Sequence, residues 1–122
     1  MFSDVKKRLK MLGLTNENID DIIKFCIAKV AERIKNNCNT PDIPKGLHFV
    51  AVDMVCGEVL LMLKATGQLL GFDVEYAVSR IKEGDTDIAF DMPDKLITFD
   101  DFVDTLINGR KDEFAKYRRL VW

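Results

Sequence analysis

The side chains best suited to chemistry are one histidine, His48, three cysteines, Cys26, Cys38 and Cys56, and two carboxylates, Asp53 and Glu58, inside the most apolar stretch. A general base needs a nucleophile beside it, and His48 stands in no Ser or Cys nucleophile motif. The chain has no G-x-S-x-G, no P-loop and no G-x-G-x-x-G after a strand. The cysteines are odd in number and widely spaced, with no C-x-x-C, so zinc would lack a fourth ligand at a usual spacing. Cys26 and Cys56 fall within apolar helical patterns, where a reduced thiol behaves as a small hydrophobe. Such usage fits a reducing cytosolic compartment. Asp53 and Glu58 project about 140° apart on one helix, so that helix alone cannot make them a carboxylate pair. The expectation is no catalytic residue, no metal and no cofactor.

The segments that would position these groups read as helices. Val5, Leu9 and Leu12 line one face of a short helix opened by Ser3 and stopped by Gly13. Thr15 suits the N-cap of a long second helix, about 16–36, with Ile19, Ile23, Cys26, Val30 and Ile34 on its inner face. Pro41 and Pro44 make the next stretch a tight linker. From Lys45 to Thr66 the pattern is apolar nearly all round, with Asp53, Gly57 and Lys64 as one narrow polar stripe. That predicts a central helix, and Gly57 in its middle predicts a close helix crossing. Asp73 can cap a shorter helix over 74–81. Lys82-Glu83-Gly84-Asp85-Thr86 then has turn chemistry, and Asp87-Ile88-Ala89-Phe90-Asp91 alternates with period two. Thr98, with Asp101 three residues on, resembles a capping box ahead of Phe99, Phe102, Val103 and Leu106. Asn108-Gly109 breaks that helix, and 110–120 is expected to resume it.

The expected fold class is therefore mainly α: a small helical bundle around a central apolar helix, with a short extended arm or β-hairpin near residues 82–91. All 122 residues form a single domain, with about 110–122 as a partner-binding tail. A net charge of −2 excludes a uniformly basic nucleic-acid binder. Asp53, Glu58 and Lys64 interrupt the greasiest run, and the N-terminus lacks the h-region of a secretory leader, so no membrane partner is expected. Charge is unevenly placed. Glu83 to Asp104 holds eight acids against Lys95 alone, while Arg110 to Trp122 holds five bases and two acids. An acidic middle beside a basic end suits head-to-tail packing of identical subunits.

Two further features remain open at this point. The short helix, Gly13 turn and long helix have the layout of a helix-turn-helix DNA reader, with Lys6 to Lys10 as phosphate contacts. Against it, Glu17, Asp20 and Asp21 would face the DNA. The end, Phe114-Ala115-Lys116-Tyr117-Arg118-Arg119-Leu120-Val121-Trp122, either docks through Phe114, Tyr117 and Val121 or serves as a Trp- and Arg-rich partner anchor.

Taken in order, the two N-terminal helices, Asn37-Cys38-Asn39 and Ile43-Pro44, the apolar third helix, Glu83-Gly84-Asp85-Thr86 with Ile88 and Phe90, and the Arg118–Trp122 finish resemble the head–tail connector proteins of tailed phages and prophages, also called adaptor or head-completion proteins. The resemblance covers essentially the whole chain. It implies a structural virion assembly role without cofactor: a homo-oligomeric ring, twelvefold to match the portal protein, seated beneath it in the virion neck after synthesis in the bacterial host cytoplasm. The ring would present a surface to the next neck or tail-completion protein, and DNA would pass through without sequence-specific binding. The resemblance places Tyr117, Arg118, Arg119, Leu120 and Trp122 at the portal contact. Glu83, Gly84, Asp85, Thr86, Ile88 and Phe90 would form an inter-subunit or lumen-facing arm, or else a local hairpin. The alternative function is a small helical DNA-binding regulator encoded by a prophage.

Overall fold

The computed structural model describes residues 1–69, 71–84 and 97–118. The chain is mainly α, a small bundle of α1 (Phe2–Met11), α2 (Asp20–Cys38), α3 (His48–Ala65), α4 (Val74–Gly84) and α5 (Phe99–Asn108), with 3-10 segments at Lys45–Leu47 and Lys111–Tyr117. Among the described residues there is no strand.

α3 is the centre. It packs against α1, α2 and α5, and Val55, Cys56, Val59, Leu60 and Leu63 are fully buried along it. Its apolar circumference needs three neighbours because a helix with two would leave one greasy face in water. With its leading turn, Lys45–Ala65, it has 21 residues, a mean hydropathy of 1.8, and 72% of its apolar window buried. By length and composition it is thus apolar enough to cross a bilayer, contrary to the expectation that its charges interrupt it. Burial against neighbouring helices is the environment it has here.

Gly57 allows the predicted close crossing. A Cβ there would come 2.7 Å from Ile107 Cγ1 and 3.3 Å from the Val103 carbonyl oxygen, both on α5. α5 lies antiparallel to α3, since Lys64 meets Asp100 at one end and Asp53 meets Arg110 at the other. Thr98 caps α5 as expected, its hydroxyl accepting from the Asp101 N–H at 3.1 Å.

Several boundaries differ from the sequence expectation. α1 begins at Phe2, so Ser3 lies inside the first turn and caps nothing. Its end is a Schellman motif: the Gly13 N–H donates to Lys10 O and the Leu14 N–H to Leu9 O, with Gly13 at φ +95°. α2 starts at Asp20 rather than near Asn16, because Asn18 sits at φ +59° and Thr15 makes no cap. Burial of Leu14 and Ile19 at either end holds this connection against the core. α2 runs on to Cys38, closed by Asn39 at φ +54°. α4 continues through Lys82, Glu83 and Gly84, which the sequence reading assigned to a turn. The rest of the expected arm or hairpin, residues 85–91, lies outside the described residues. Past Gly109 the chain forms a 3-10 segment instead of resuming an α-helix.

Candidate interaction surfaces

Two ion clusters on α3 went unforeseen. Asp53 is buried; its Oδ1 accepts from Arg8 Nε and its Oδ2 from Arg110 Nη2, both at 2.8 Å. One carboxylate thus joins α1, α3 and the end of α5. Glu58, also buried, meets Lys29 Nζ and Arg33 Nη1 on α2, each at 3.1 Å. The two acids serve different neighbours, consistent with their angular separation, and Asp53 does not lie on an exposed polar stripe. Neutralisation by fixed cations allows carboxylates on a helix this apolar. No local sequence signal could have shown this, because the partners of Asp53 are 45 and 57 residues away.

His48, weighed above as a general base, hydrogen-bonds Asp4 instead, with its Nε2 2.8 Å from Asp4 Oδ2. That hydrogen bond holds the half-buried Asp4 carboxyl below its ordinary value of 3.8. A carboxyl depressed by folding stabilises the fold above its unfolded pKa and loses that contribution as pH falls through the folded value. Asp4→Asn should therefore be slightly less stable than wild type at neutral pH, and in thermal melts the difference should shrink as pH falls from 3.8 and vanish only below the lowered value of the folded state. The three cysteines are free and buried. Burial pushes each thiol up, Cys56 most strongly, which disfavours the reactive thiolate. Among the described residues no cluster of His, Cys, Asp or Glu could hold a metal.

The C-terminal segment is seated on the bundle. Phe114 is buried and its carbonyl accepts from Cys38 Sγ at 3.8 Å. Of the residues assigned to the portal contact, Tyr117 rests its ring end on Gly46, where no Cβ intrudes. Arg118 is exposed, and its Nε donates to Asn37 O at 3.1 Å. Arg119, Leu120 and Trp122 lie outside the described residues. Of the inter-subunit set, Glu83 is exposed and 3.7 Å from Arg80, and Gly84 ends α4. Asp85, Thr86, Ile88 and Phe90 lie outside the described residues.

Large apolar side chains also meet solvent: Phe25 on α2, Phe49 and Leu61 on α3, and Tyr76 on α4. An open cleft of about 930 Å³ lies between α1 and the connection leading into α2. Phe2, Leu9, Leu14, Ile19 and Ile23 contribute its apolar lining, and Lys6, Lys7 and Lys10 its cationic edge. Lys6 is paired with Asp20 at 3.1 Å. Of the basic run in α1, Arg8 turns inward to Asp53, so it is not presented with its neighbours. Comparison with protein-family models, curated proteins and solved structures finds no match to this chain.

Proposed function

We propose that this chain is a structural assembly protein of the phage head–tail connector kind. Copies of it form an oligomeric ring, twelvefold to match the portal, that joins head to tail in the virion neck. The ring presents a surface to the next neck or tail-completion component and lets DNA pass without sequence-specific contact. It performs no catalysis. The resemblance along the chain supports this reading, and so does the uneven charge of the sequence, acidic from Glu83 to Asp104 and basic from Arg110 to Trp122.

The observation that carries it furthest is the seat of the basic, aromatic end. Arg110 is fixed to Asp53, Phe114 is buried, and Arg118 is tied to the end of α2. At Arg118 the backbone becomes extended, with φ −70° and ψ 128°. A firm base beneath an Arg- and Trp-bearing terminus reduces the ordering cost of engaging a partner. The DNA-binding alternative is weakened by Arg8 and Lys6, which are engaged by Asp53 and Asp20.

Truncation after Leu120 tests the proposal. The shortened chain should keep a melting temperature near wild type, because Phe114 and Arg110 remain in place. Its co-sedimentation with portal-bearing capsids should be lost, since Trp122 supplies the large apolar ring of the contact. Portal binding at wild-type affinity would refute the anchor. Unfolding would show that the end is part of the core.

A further inference from the structure

One strip of α3 changes from covered to bare along its length. Val50, Met54, Leu61 and Ala65 lie in line on one side of the helix. Val50 and Met54 are buried, at the end where the 3-10 segment Lys111–Tyr117 packs against α2. Leu61 is 42% exposed, and Ala65 is exposed too. Leu61 projects between the direction of Glu58, which α2 occupies, and that of Gly57, which α5 occupies. Asn16 Nδ2 donates to Gln68 O at 2.6 Å, so α2 starts beside the end of α3 and the two helices run antiparallel. Phe25, one turn before Lys29, is therefore level with Leu61, one turn past Glu58, and it is 58% exposed. The two banks of this groove differ in charge. On α2, Lys29 and Arg33 share the one carboxylate of Glu58, which leaves a positive surplus. On α5, exposed Asp100 and Asp104 have Lys64 beside them, which leaves a negative surplus. Val103 lies against Gly57, so Asp104 is level with Glu58 and with the cations around it.

We infer that this groove pairs with the same groove of a second copy of the chain, about a two-fold axis running along α3. Such an axis lays the α2 bank of each copy on the α5 bank of the other. Lys29 and Arg33 then meet Asp104 of the second copy at the same level, twice over. Leu61 meets its own counterpart near the axis, and Phe25 leaves water with it. A two-fold axis at right angles to α3 would instead set α2 on α2, cation against cation, and charge rejects that arrangement. The contact is isologous, so it is complete with two copies. It belongs to the free chain and goes beyond the connector reading, on which it does not depend.

Sedimentation velocity of the full chain over a range of concentrations should show a monomer–dimer equilibrium. Phe25→Ser with Leu61→Ser, both at exposed positions, should leave only monomer, with the circular dichroism of wild type. Asp104→Lys, also at an exposed position, should weaken the dimer by about tenfold or more, because it places a cation against Lys29 and Arg33. Ala65→Cys, at the bare end of the strip, should cross-link to its counterpart with a short bis-maleimide, while the three native cysteines stay buried. The same cross-link should be lost when Asp104→Lys is added. A chain that stays monomeric at every concentration, or a dimer indifferent to both the serine pair and Asp104→Lys, overturns the inference. If the serine pair disturbs the fold, the Asp104→Lys shift and the Ala65→Cys cross-link decide. These results stand apart from the portal assay: a monomeric chain that co-sediments with portals keeps the connector role and loses this pairing, and a dimer that fails to bind portals does the reverse.

Discussion

Leu60→Asp should leave no folded domain. Leu60 is fully buried on α3, the helix that α1, α2 and α5 pack against. An aspartate there replaces a large apolar side chain with a carboxylate at a fully buried position. Loss of packing and burial of an unpaired charge each cost several kcal/mol. Their sum reaches the whole stability of an ordinary domain, about 5–15 kcal/mol. Val55→Asp, also fully buried, should behave the same way. Circular dichroism and gel filtration check this directly: native helicity and a native elution volume in both variants would remove α3 from the centre of the fold.

The second large effect concerns Asp53. Asp53→Ala should destabilise the domain by about 3–5 kcal/mol, the usual cost of removing one member of a buried ion pair. Glu58→Ala should cost clearly less, although Glu58 is just as buried. The difference lies in the cations left behind. The side chains of Arg8 and Arg110 are only 16% and 15% exposed, so neither can easily exchange Asp53 for water. Those of Lys29 and Arg33 are 45% and 36% exposed and can hydrate where they stand. Replacing the whole cluster, with Arg8→Met, Asp53→Leu and Arg110→Met, should recover much of the loss, because apolar side chains of similar volume avoid the desolvation cost. Denaturant unfolding of the three variants beside wild type gives the order. A Glu58 variant weaker than the Asp53 variant would show that exposure of the partners does not decide the outcome.

The legible part of the fold is the part governed by local rules. The apolar circumference of Lys45–Thr66 identified the central helix, Gly57 its close crossing, Gly13 the end of α1, and Thr98 the start of α5. These signals depend on residues within a turn or two of one another. Where the chain departs from expectation, distant contacts decide. Thr15 is a better cap than Ile19 by type, yet α2 starts after the connection that buries Leu14 and Ile19. Lys82-Glu83-Gly84 has turn composition, yet helix α4, with Ala77, Val78 and Ile81 buried, carries it to Gly84. Asp53 looked like a solvent stripe because a helical wheel shows angles on one helix and not which arginines approach from two others. The candidate site was legible only as composition. Tyr117 and Arg118 could be singled out by type, but their seats on Gly46 and Asn37 depend on how α2 and α3 are joined.

The double clamp on Asp53 also bears on how the protein comes off the ribosome. Arg8 and Asp53 are made early, whereas Arg110 follows Asp53 by 57 residues. At 5–20 residues per second, that interval is roughly 3–11 s. From the completion of α3 at Ala65 until α5 has been made, nothing of α5 lies along the Gly57 crossing, and until Arg110 is added the carboxylate has one arginine instead of two. The nascent chain therefore carries a long greasy helix with an uncovered flank during much of its synthesis. Slow translation or a stall between these codons would lengthen that exposure and favour aggregation or chaperone capture, while the finished chain would fold normally.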